Sequence, residues 1–365
     1  MEPLPASSST ADATTLGSRM AVLMFSVMAG TCLSLVAMAH NRPLANWIRD
    51  IAWQQSNWKK QIPIFCFNEH FVDSEDRLLH QDLPAADYSR GGVYILGASS
   101  VAWATKLWEL SPEKRSLIHN YAMRGTNHAD QLDLLRFLVE KQGFLDAGGE
   151  KTLVIFGVSY HSTHNARTKE NLAHERFTRM WTRHGVYTVE PDDSIHSTGL
   201  ISLARWLIVE RVKMTGLLKE LVNLAYAPFK SIRVQDQRFY NAEWTRAMES
   251  NWKEKIDTDL AAFVKTIDYL RGRQVQIVVV LIPQASWDRD LPFEQTYSQQ
   301  VFEICRRANL TIYDWRKILA DDQFADSVHL TPSGIDQFQL GLMEICLAHL
   351  RSTGALPQVS TSEPN

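Results

Sequence analysis

Three nearly continuous apolar runs constrain the fold of this chain more than any other feature. They cover residues 93–96, 152–158 and 275–282. Runs of this length are typical of strands buried on both faces of a parallel sheet. Between them, residues 252–271 form an amphipathic helical pattern, with apolar residues recurring three and four positions apart. The alternation predicts an α/β fold, a three-layer sandwich in which helices cover both faces of a mostly parallel sheet.

Weaker signals complete the alternation. Proline in the first turn of a helix, with hydroxyl residues beside it, marks a helix start at Thr331-Pro332-Ser333. The remaining elements are two predicted strands, at residues 117–120 and 310–313, and three predicted helices, at residues 130–141, 294–306 and 331–350.

Composition and charge exclude one class of partner. The chain has 365 residues, of which 45% are hydrophobic, and a formal net charge of −3. Basic residues form no long stripe, so nucleic acid is not an expected partner. None of the four cysteines has the spacing of a metal ligand. We expect free, mostly buried thiols, and a bridge between Cys305 and Cys346 is the alternative.

The N-terminal region contains a segment long enough to cross a membrane. Residues 20–39 carry no charge, and about 20 apolar residues span a hydrocarbon core as a helix. We predict a transmembrane anchor at residues 19–40, between a disordered terminus at residues 1–18 and a juxtamembrane linker at residues 41–90. A signal peptide cleaved after Ala39 is the alternative. Basic residues are denser after the segment than before it, which by itself favours a cytoplasmic body.

The α/β domain is predicted to occupy residues 91–350, followed by a disordered tail at residues 351–365. Residues 160–250 interrupt the alternation with helix-like segments and few strand signals. We interpret this stretch as a helical insertion above the sheet. It is either a lid, a partner surface or a membrane-facing element, or a plain helical subdomain with its own core.

Two short motifs carry the residues of a serine nucleophile and its base. Gly97-Ala98-Ser99 follows the first predicted strand, and Asp326-Ser327-Val328-His329 precedes the last predicted helix. A serine is a weak nucleophile unless a base takes its proton, and a carboxylate that orients the imidazole improves that base. Both motifs are expected at the carboxyl edge of the sheet, where open parallel sheets bind their ligands. Each motif alone is common in proteins. The alternative role of Ser99 is that of a helix N-cap.

Together the motifs resemble those of the SGNH (GDSL-type) hydrolase superfamily. Its first block, Gly-Asp-Ser, corresponds to Gly97-Ala98-Ser99, and its last block, Asp-x-x-His, corresponds to Asp326-Ser327-Val328-His329. Its second block, an Asn followed by a Gly, corresponds to Asn120 and Gly125. The resemblance implies an SGNH-type sheet with Ser99 as nucleophile, His329 as base and Asp326 as its orienter. It also implies that the backbone N–H groups of Ser99 and Gly125 form an oxyanion hole.

The third block departs from the family. The family carries Gly-x-Asn-Asp, whose Asn donates to the oxyanion, whereas this chain reads Gly157-Val158-Ser159-Tyr160. Either Ser159 supplies a weaker third donor or the third donor is absent, and losing one such donor commonly costs about 2.7–4 kcal/mol of transition-state stabilisation. The departure favours a specialised acyl-transfer protein over a general esterase.

With its predicted anchor and insertion, the chain resembles the DltD family of teichoic-acid D-alanylation and the alginate O-acetylation proteins. That resemblance implies a catalytic domain on the extracytoplasmic (periplasmic) side of the cytoplasmic membrane, against the local charge bias. It implies a membrane-bound O-acyltransferase as partner, an acylated donor and a glycan or polyol acceptor. No cofactor is implied.

Four further residues are candidates for contact with substrate because they lie near the predicted cleft. For His128, plain packing is the alternative. Arg124 adjoins Gly125 and suits an anionic group, although a solvated position is equally compatible. Metal binding at His161 and His164 is not expected, because a His pair three residues apart without a third ligand usually lies in an ordinary loop. The four candidates are Asn120, Arg124, His128 and His161.

The sequence therefore predicts a membrane-anchored, exported serine acyl-transfer enzyme that modifies a cell-envelope or extracellular glycan through an acyl-serine. A secreted esterase or lipase is one alternative. The other is a binding subunit of an acyltransferase complex whose own site is degenerate, which the altered third block favours and the intact Ser99, Asp326 and His329 oppose.

Overall fold

Strands and helices alternate through most of the described chain. The computed structural model describes residues 9–41, 44, 83, 86–102, 104–123, 125–168, 187–189, 195–198, 204, 206–207, 211, 251–289, 291–324 and 329–356. The strands are β1 Gly92–Gly97, β2 Ile118–Asn120, β3 Thr152–Val158, β4 Tyr187–Val189, β5 Ile195–Ser197, β6 Gln276–Leu281 and β7 Thr311–Asp314. The α-helices are α1 Ser9–His40, α2 Ser99–Ala102, α3 Pro112–Arg115, α4 His128–Gln142, α5 Trp252–Arg271, α6 Ser286–Arg289, α7 Pro292–Ala308 and α8 Pro332–Ser352. Short 3₁₀ helices lie at Leu107–Glu109, Gly149–Lys151, Tyr160–Asn165 and Asp321–Gln323.

A sheet of five parallel strands, in the order β2-β1-β3-β6-β7, forms the centre of the described structure. Every residue of β1 and β3 is buried, as their continuous apolar runs predict. The two strands pair along their whole length, ending at Gly97 opposite Gly157. The predicted α/β fold with a parallel sheet is confirmed.

Two separate hydrophobic cores lie on the two faces of this sheet. Alternate residues of β1 enter different cores, since Tyr94 packs in one and Ile95 in the other. Helices α4, α5 and α7 cover the first core, which we call the α5 face. Helices α2 and α8 cover the second core, which we call the α8 face. The arrangement is the predicted three-layer sandwich.

The strand order reverses between β1 and β3. From β1 the chain goes outward to β2, returns to β3 on the other side of β1, and then proceeds to β6 and β7. In open α/β sheets, ligands bind outside the carboxyl ends of the strands at such a switch point. The fold therefore places the candidate cleft above the ends of β1 and β3.

Most predicted elements agree with the structure. The helix predicted at residues 252–271 is α5, Trp252–Arg271, and the strand predicted at residues 152–158 is β3. Helix α8 begins as its start signal predicts, with the Thr331 side chain accepting from the Gly334 N–H and Pro332 in the first turn.

Some predicted segments differ or lie outside the described residues. Within the predicted helical insertion at residues 160–250, β4 and β5 form a two-stranded antiparallel sheet. Most of that insertion, most of the predicted linker at residues 41–90 and the tail beyond residue 356 lie outside the described residues. Helix α1 begins at Ser9 and so includes part of the segment for which composition predicts disorder.

The N-terminal anchor predicted at residues 19–40 falls within α1. In the described part of the chain, no helix combines the length and the apolarity that crossing a membrane requires.

The alternative of a Cys305–Cys346 disulfide is wrong. Cys305 is buried in the core of the α5 face and Cys346 in that of the α8 face, and both are free. The sheet separates them. Burial raises the pKa of each thiol to about 12, so both stay protonated and unreactive at neutral pH.

We expect Gly157→Ala to destabilise the protein by about 1–3 kcal/mol, the usual cost of overpacking a core. A Cβ at Gly157 would lie 2.4 Å from Val101 Cγ2 and 3.2 Å from Ile282 Cγ2. Urea unfolding measures the loss, and Val101→Ala in the same chain should restore part of it. The control, Gly272→Ala, meets its nearest atom at an ordinary 3.5 Å and should change stability little. A Gly157→Ala variant as stable as the wild type would contradict this packing.

We expect stability to fall as the pH drops below about 6.5, in part because of His349. Burial lowers the pKa of this histidine, opposed by its contact with the Lys151 carbonyl. The unfolded chain therefore takes up the proton first, so the contribution is complete above pH 6.5 and is lost as pH falls toward the lowered pKa. Urea titrations between pH 5 and 8 should show a shallower pH slope for His349→Gln, and an unchanged slope would refute the assignment.

Candidate active site

Ser99 lies at the carboxyl edge of the sheet, two residues after β1. It opens α2, whose first turn is closed by hydrogen bonds from Val101 and Ala102 N–H to the Ala98 carbonyl, both 3.0 Å. A Cβ at Gly97 would lie 2.7 Å from Val101 Cγ2 and 2.8 Å from the Gly157 oxygen. Glycine at this position therefore lets α2 turn back closely over β1 and β3, and this turn presents Ser99 at the switch point.

His329 meets Ser99 across 230 residues of sequence. Its Nε2 lies 3.0 Å from Ser99 Oγ, and the imidazole is half-buried. This distance is within the range for a base that removes a proton from a serine hydroxyl. The structure thus brings together the two residues that the sequence predicts as nucleophile and base.

The backbone beside His329 is fixed on its C-terminal side. Leu330 forms an antiparallel bridge with Phe324, and Thr331 N–H donates to the Gln323 carbonyl at 2.9 Å. Thr331 is also the N-cap of α8. The backbone at Leu330 and Thr331 is held by these bonds, which limits the positions that the adjacent imidazole can take. The predicted orienting carboxylate, Asp326, lies outside the described residues, so its role stays a prediction.

Gly125 lies in a turn that is tied to the last residue of β1. The Gly97 carbonyl accepts from Met123 N–H at 3.0 Å and from Thr126 Oγ1 at 3.1 Å. Gly125 itself has φ +63°, a left-handed conformation that glycine adopts without strain. Its carbonyl accepts from Asn165 Nδ2 at 2.9 Å. The turn that carries this predicted oxyanion donor is therefore held next to the segment that carries Ser99.

Ser159 continues β3 in an extended conformation, with φ −153° and ψ 159°, and is buried. Side chains alternate across an extended strand, so Ser159 projects to the same face as Gly157. Val101 of α2 packs against Gly157 on that face. The Ser159 hydroxyl is consequently on the α2 side of the sheet, as expected for a third donor.

Asn120 holds α2 through its side-chain amide, and its predicted contact with substrate stays a prediction. Its Nδ2 donates to the Val101 carbonyl at 3.1 Å, the Ala102 carbonyl at 3.4 Å and Thr105 Oγ1 at 2.8 Å. Its Oδ1 accepts from Ala122 N–H at 3.0 Å. Because both ends of the amide are engaged, Asn120 caps the carbonyls at the end of α2 and holds the serine-bearing helix to the end of β2.

His128 packs in the core of the α5 face, and its predicted contact with substrate stays a prediction. It is 1% exposed, its Nδ1 lies 3.1 Å from Gln131 Oε1 and its Nε2 lies 3.2 Å from Tyr297 Oη. Its ring stacks on Phe263 with centroids 4.4 Å apart. Both ring nitrogens therefore have hydrogen-bond partners within the α5 face.

His161 forms a buried pair with a carboxylate that the sequence analysis missed. Its Nε2 lies 2.9 Å from Asp288 Oδ2, with His161 8% and Asp288 0% exposed. The neighbouring Tyr160 ring packs against the imidazole, and burial together with Asp288 raises the pKa of that phenol well above its usual range. His161 lies after β3 as predicted, but in this state it is covered. Arg124, the remaining candidate, lies outside the described residues.

Other residues that shape the site carry no motif. Asn127, Ser162, Asn165 and Asp259 join the loops after β2 and β3. One signal was readable, since Asn127 and Asp130 form a capping box at the start of α4. Among the described residues, no group of His, Cys, Asp and Glu side chains could hold a metal ion.

No protein-family model matches this chain, and no curated protein does. Among solved structures, a candidate acylhydrolase from Bacteroides fragilis is similar over 76% of this chain and 97% of its own. The sequence identity is 10% and the TM-score is 0.39. A likeness of this degree carries no argument about activity, so the functional conclusion depends on the residues themselves.

We expect Asn120→Asp to disturb the site more than Asn120→Ala. Alanine leaves the carbonyls at the end of α2 without their donor, at a cost of about 1–3 kcal/mol. Aspartate adds a negative charge facing the same three oxygens, so it should lower stability further and slow any reaction of Ser99. Urea unfolding and the rate of Ser99 modification measure the two effects. Equal behaviour of Asn120→Asp and the wild type would show that the amide does not hold α2.

Proposed function

We propose that this protein is a serine-dependent acyl-transfer enzyme, with Ser99 as nucleophile and His329 as general base. The observation that carries the proposal is the 3.0 Å contact between His329 Nε2 and Ser99 Oγ. It lies at the switch point of a parallel sheet, beside a glycine turn and a buried serine that suit oxyanion donors. A serine without a base would not be activated in this way.

The reaction would proceed in two balanced steps. In the first, Ser99 Oγ forms a bond to the acyl carbon while its proton passes to His329 Nε2. The donor's leaving group then departs with that proton, which gives an acyl-serine. In the second, His329 takes the proton of an acceptor hydroxyl, whose oxygen attacks the acyl carbon and releases Ser99 with its proton restored.

Three donors are available for the oxyanion of each tetrahedral intermediate. Ser99 N–H lies in the first turn of α2, where N–H groups have no intrahelical partner. Gly125 N–H lies in the turn anchored to Gly97, and the Ser159 hydroxyl projects on the α2 side. Fixed donors of this kind are usually the largest contribution to such catalysis. A hydroxyl in place of the family's Asn weakens the third one.

The acceptor is proposed to be a hydroxyl of a glycan or polyol. The support for this finer proposal is the sequence resemblance to the DltD and alginate O-acetylation families, together with the altered third block. The same resemblance supports an extracytoplasmic location, attachment to the membrane through the N-terminal segment and a membrane-bound O-acyltransferase as partner. Water as acceptor would instead make the protein an esterase.

We expect a fluorophosphonate probe to label wild-type protein on Ser99, and Ser99→Ala to abolish that labelling. His329→Ala should slow labelling by about 10²–10⁴-fold, the usual contribution of a general base. Peptide mass spectrometry locates the label and thermal unfolding confirms that each variant is folded. The control is Ser100→Ala, which removes the neighbouring hydroxyl and should leave the rate nearly unchanged.

Labelling of Ser99→Ala at the wild-type rate, or labelling at another residue, would contradict the proposal. A fully unlabelled wild-type protein would favour the binding-subunit alternative. The acceptor is tested separately with p-nitrophenyl acetate in the presence and absence of glycerol. Formation of acetylglycerol supports transfer, and acetate as the sole product supports an esterase.

A further inference from the structure

Asp259 is a buried carboxylate that joins two loops of the candidate site. It lies on α5 and is 2% exposed. Its Oδ1 accepts from the backbone N–H of His128 at 2.9 Å, and its Oδ2 accepts from the hydroxyl of Ser162 at 3.0 Å. His128 is the first residue of α4, after the loop that follows β2, and Ser162 lies in the 3₁₀ helix that follows β3. One side chain thus connects the two loops from below.

Each of these loops carries a candidate oxyanion donor close to the connection. Gly125 lies three residues before His128. Ser159 lies three residues before Ser162, and its carbonyl accepts from Ser162 N–H at 3.2 Å and lies 2.9 Å from Ser162 Oγ. The single hydroxyl proton of Ser162 is therefore shared between the Ser159 carbonyl and the carboxylate. A shift of the Asp259 side chain would therefore be transmitted to Gly125 through His128 and to Ser159 through Ser162.

A second connection joins the same loops above the first. Asn165 Nδ2 donates to the Gly125 carbonyl at 2.9 Å, and Asn127 Nδ2 donates to the Asn165 carbonyl. The loops after β2 and β3 are consequently linked by side chains from both, with Asp259 contributed by neither loop. Asp259 ties this arrangement to α5.

The environment of Asp259 points to positioning rather than to a simple gain in stability. The nearby buried Asp130 is paired with Arg167 at 2.7 Å. Among the described residues, Asp259 has no lysine or arginine partner, and His128 Nε2 lies 3.8 Å from its Oδ2. Burying a carboxylate with only neutral donors is unfavourable unless its hydrogen bonds are well formed.

Tyr297 and Gln131 surround His128 beside Asp259. Burial raises the pKa of Tyr297 well above its usual range, and the charge of Asp259 raises it further. The phenol therefore keeps its proton and can donate to His128 Nε2, 3.2 Å away. His128 Nδ1 lies 3.1 Å from Gln131 Oε1. The His128 backbone N–H and the Ser162 hydroxyl are the donors to the carboxylate.

We propose that Asp259 is a positioning residue that sets the separation of the Gly125 and Ser159 oxyanion donors, acting through His128 and Ser162. The inference rests on the proposed function, because it assigns Asp259 a part in stabilising the tetrahedral intermediate at Ser99. It predicts that Asp259 affects the rate of acylation and not the binding of the acyl donor.

The decisive variant is Asp259→Asn, which preserves shape and one acceptor oxygen but turns the other position into a donor. Ser162 must then accept from the new amide, and the contact that fixes its hydroxyl is reversed. We expect fluorophosphonate labelling of Ser99 to slow by about 10–10³-fold, up to the loss caused by removing one oxyanion donor. With p-nitrophenyl acetate, kcat should fall by the same factor while KM changes less than threefold.

Ser162→Ala provides a milder second variant in case Asp259→Asn folds poorly. It removes only the connection to the Ser159 loop, so a smaller loss, on the order of tenfold, is expected. Asp268→Asn is the matched control, since Asp268 is an exposed aspartate on the same helix. Leu270→Ala removes a buried side chain of α5 without touching either loop. It should lower the unfolding temperature and leave the kcat of the folded protein unchanged.

Amide hydrogen exchange gives a readout that does not depend on catalysis. Asp259→Asn should speed exchange of the Gly125 and Ser162 N–H groups relative to those of β1. Labelling and exchange at wild-type rates in both Asp259→Asn and Ser162→Ala would overturn the inference. A kcat loss in Leu270→Ala equal to that in Asp259→Asn would also overturn it. If wild-type Ser99 does not react with the probe, the proposed function fails instead. In that case, unchanged exchange in Asp259→Asn and Ser162→Ala would also show that Asp259 does not hold the two loops together.

Discussion

The close approach of α2 to the ends of β1 and β3 is the constraint on which the candidate site depends. Val101 packs where side chains at Gly97 and Gly157 would otherwise lie, at 2.7 Å and 2.4 Å from the added Cβ positions. Two facing glycines in neighbouring strands make this packing possible. Because of it, the chain turns sharply after β1, and Ser99 projects above the switch point of the sheet instead of continuing outward.

Much of the fold was predictable because local patterns of apolar residues specify its strands and helices. The apolar run at residues 152–158 and the amphipathic pattern at residues 252–271 gave β3 and α5 with their observed ends. The pairing of Ser99 with His329 was also predictable, since both motifs adjoin elements that end at one edge of a parallel sheet. The contacts of Asn120 and His128 could not be predicted, because they depend on partners distant in sequence. Nothing in the sequence around Asn120 reveals that its amide faces the end of α2.

Three histidines illustrate how burial and partners decide the role of one residue type. His329 is half-buried and has a serine hydroxyl within hydrogen-bond reach of Nε2. His128 is enclosed with both ring nitrogens satisfied, and serves packing. His349 lies beside Lys151 and Gln276, at the opposite edge of the sheet from Ser99. The chemistry that an imidazole offers is the same in each case. Of the three, only His329 lies within hydrogen-bond reach of the Ser99 hydroxyl.

The distribution of thiols has a consequence for observing motion in this protein. Cys305 and Cys346 are each enclosed in a different helical layer, on opposite faces of the sheet. An alkylating reagent can reach either one only when its own layer opens. The modification rate of Cys305 would therefore report how often the layer that contains Asp259 opens. The modification rate of Cys346 would report the same for the layer that contains α8. Cys32 is exposed, so it would be modified faster than either buried thiol.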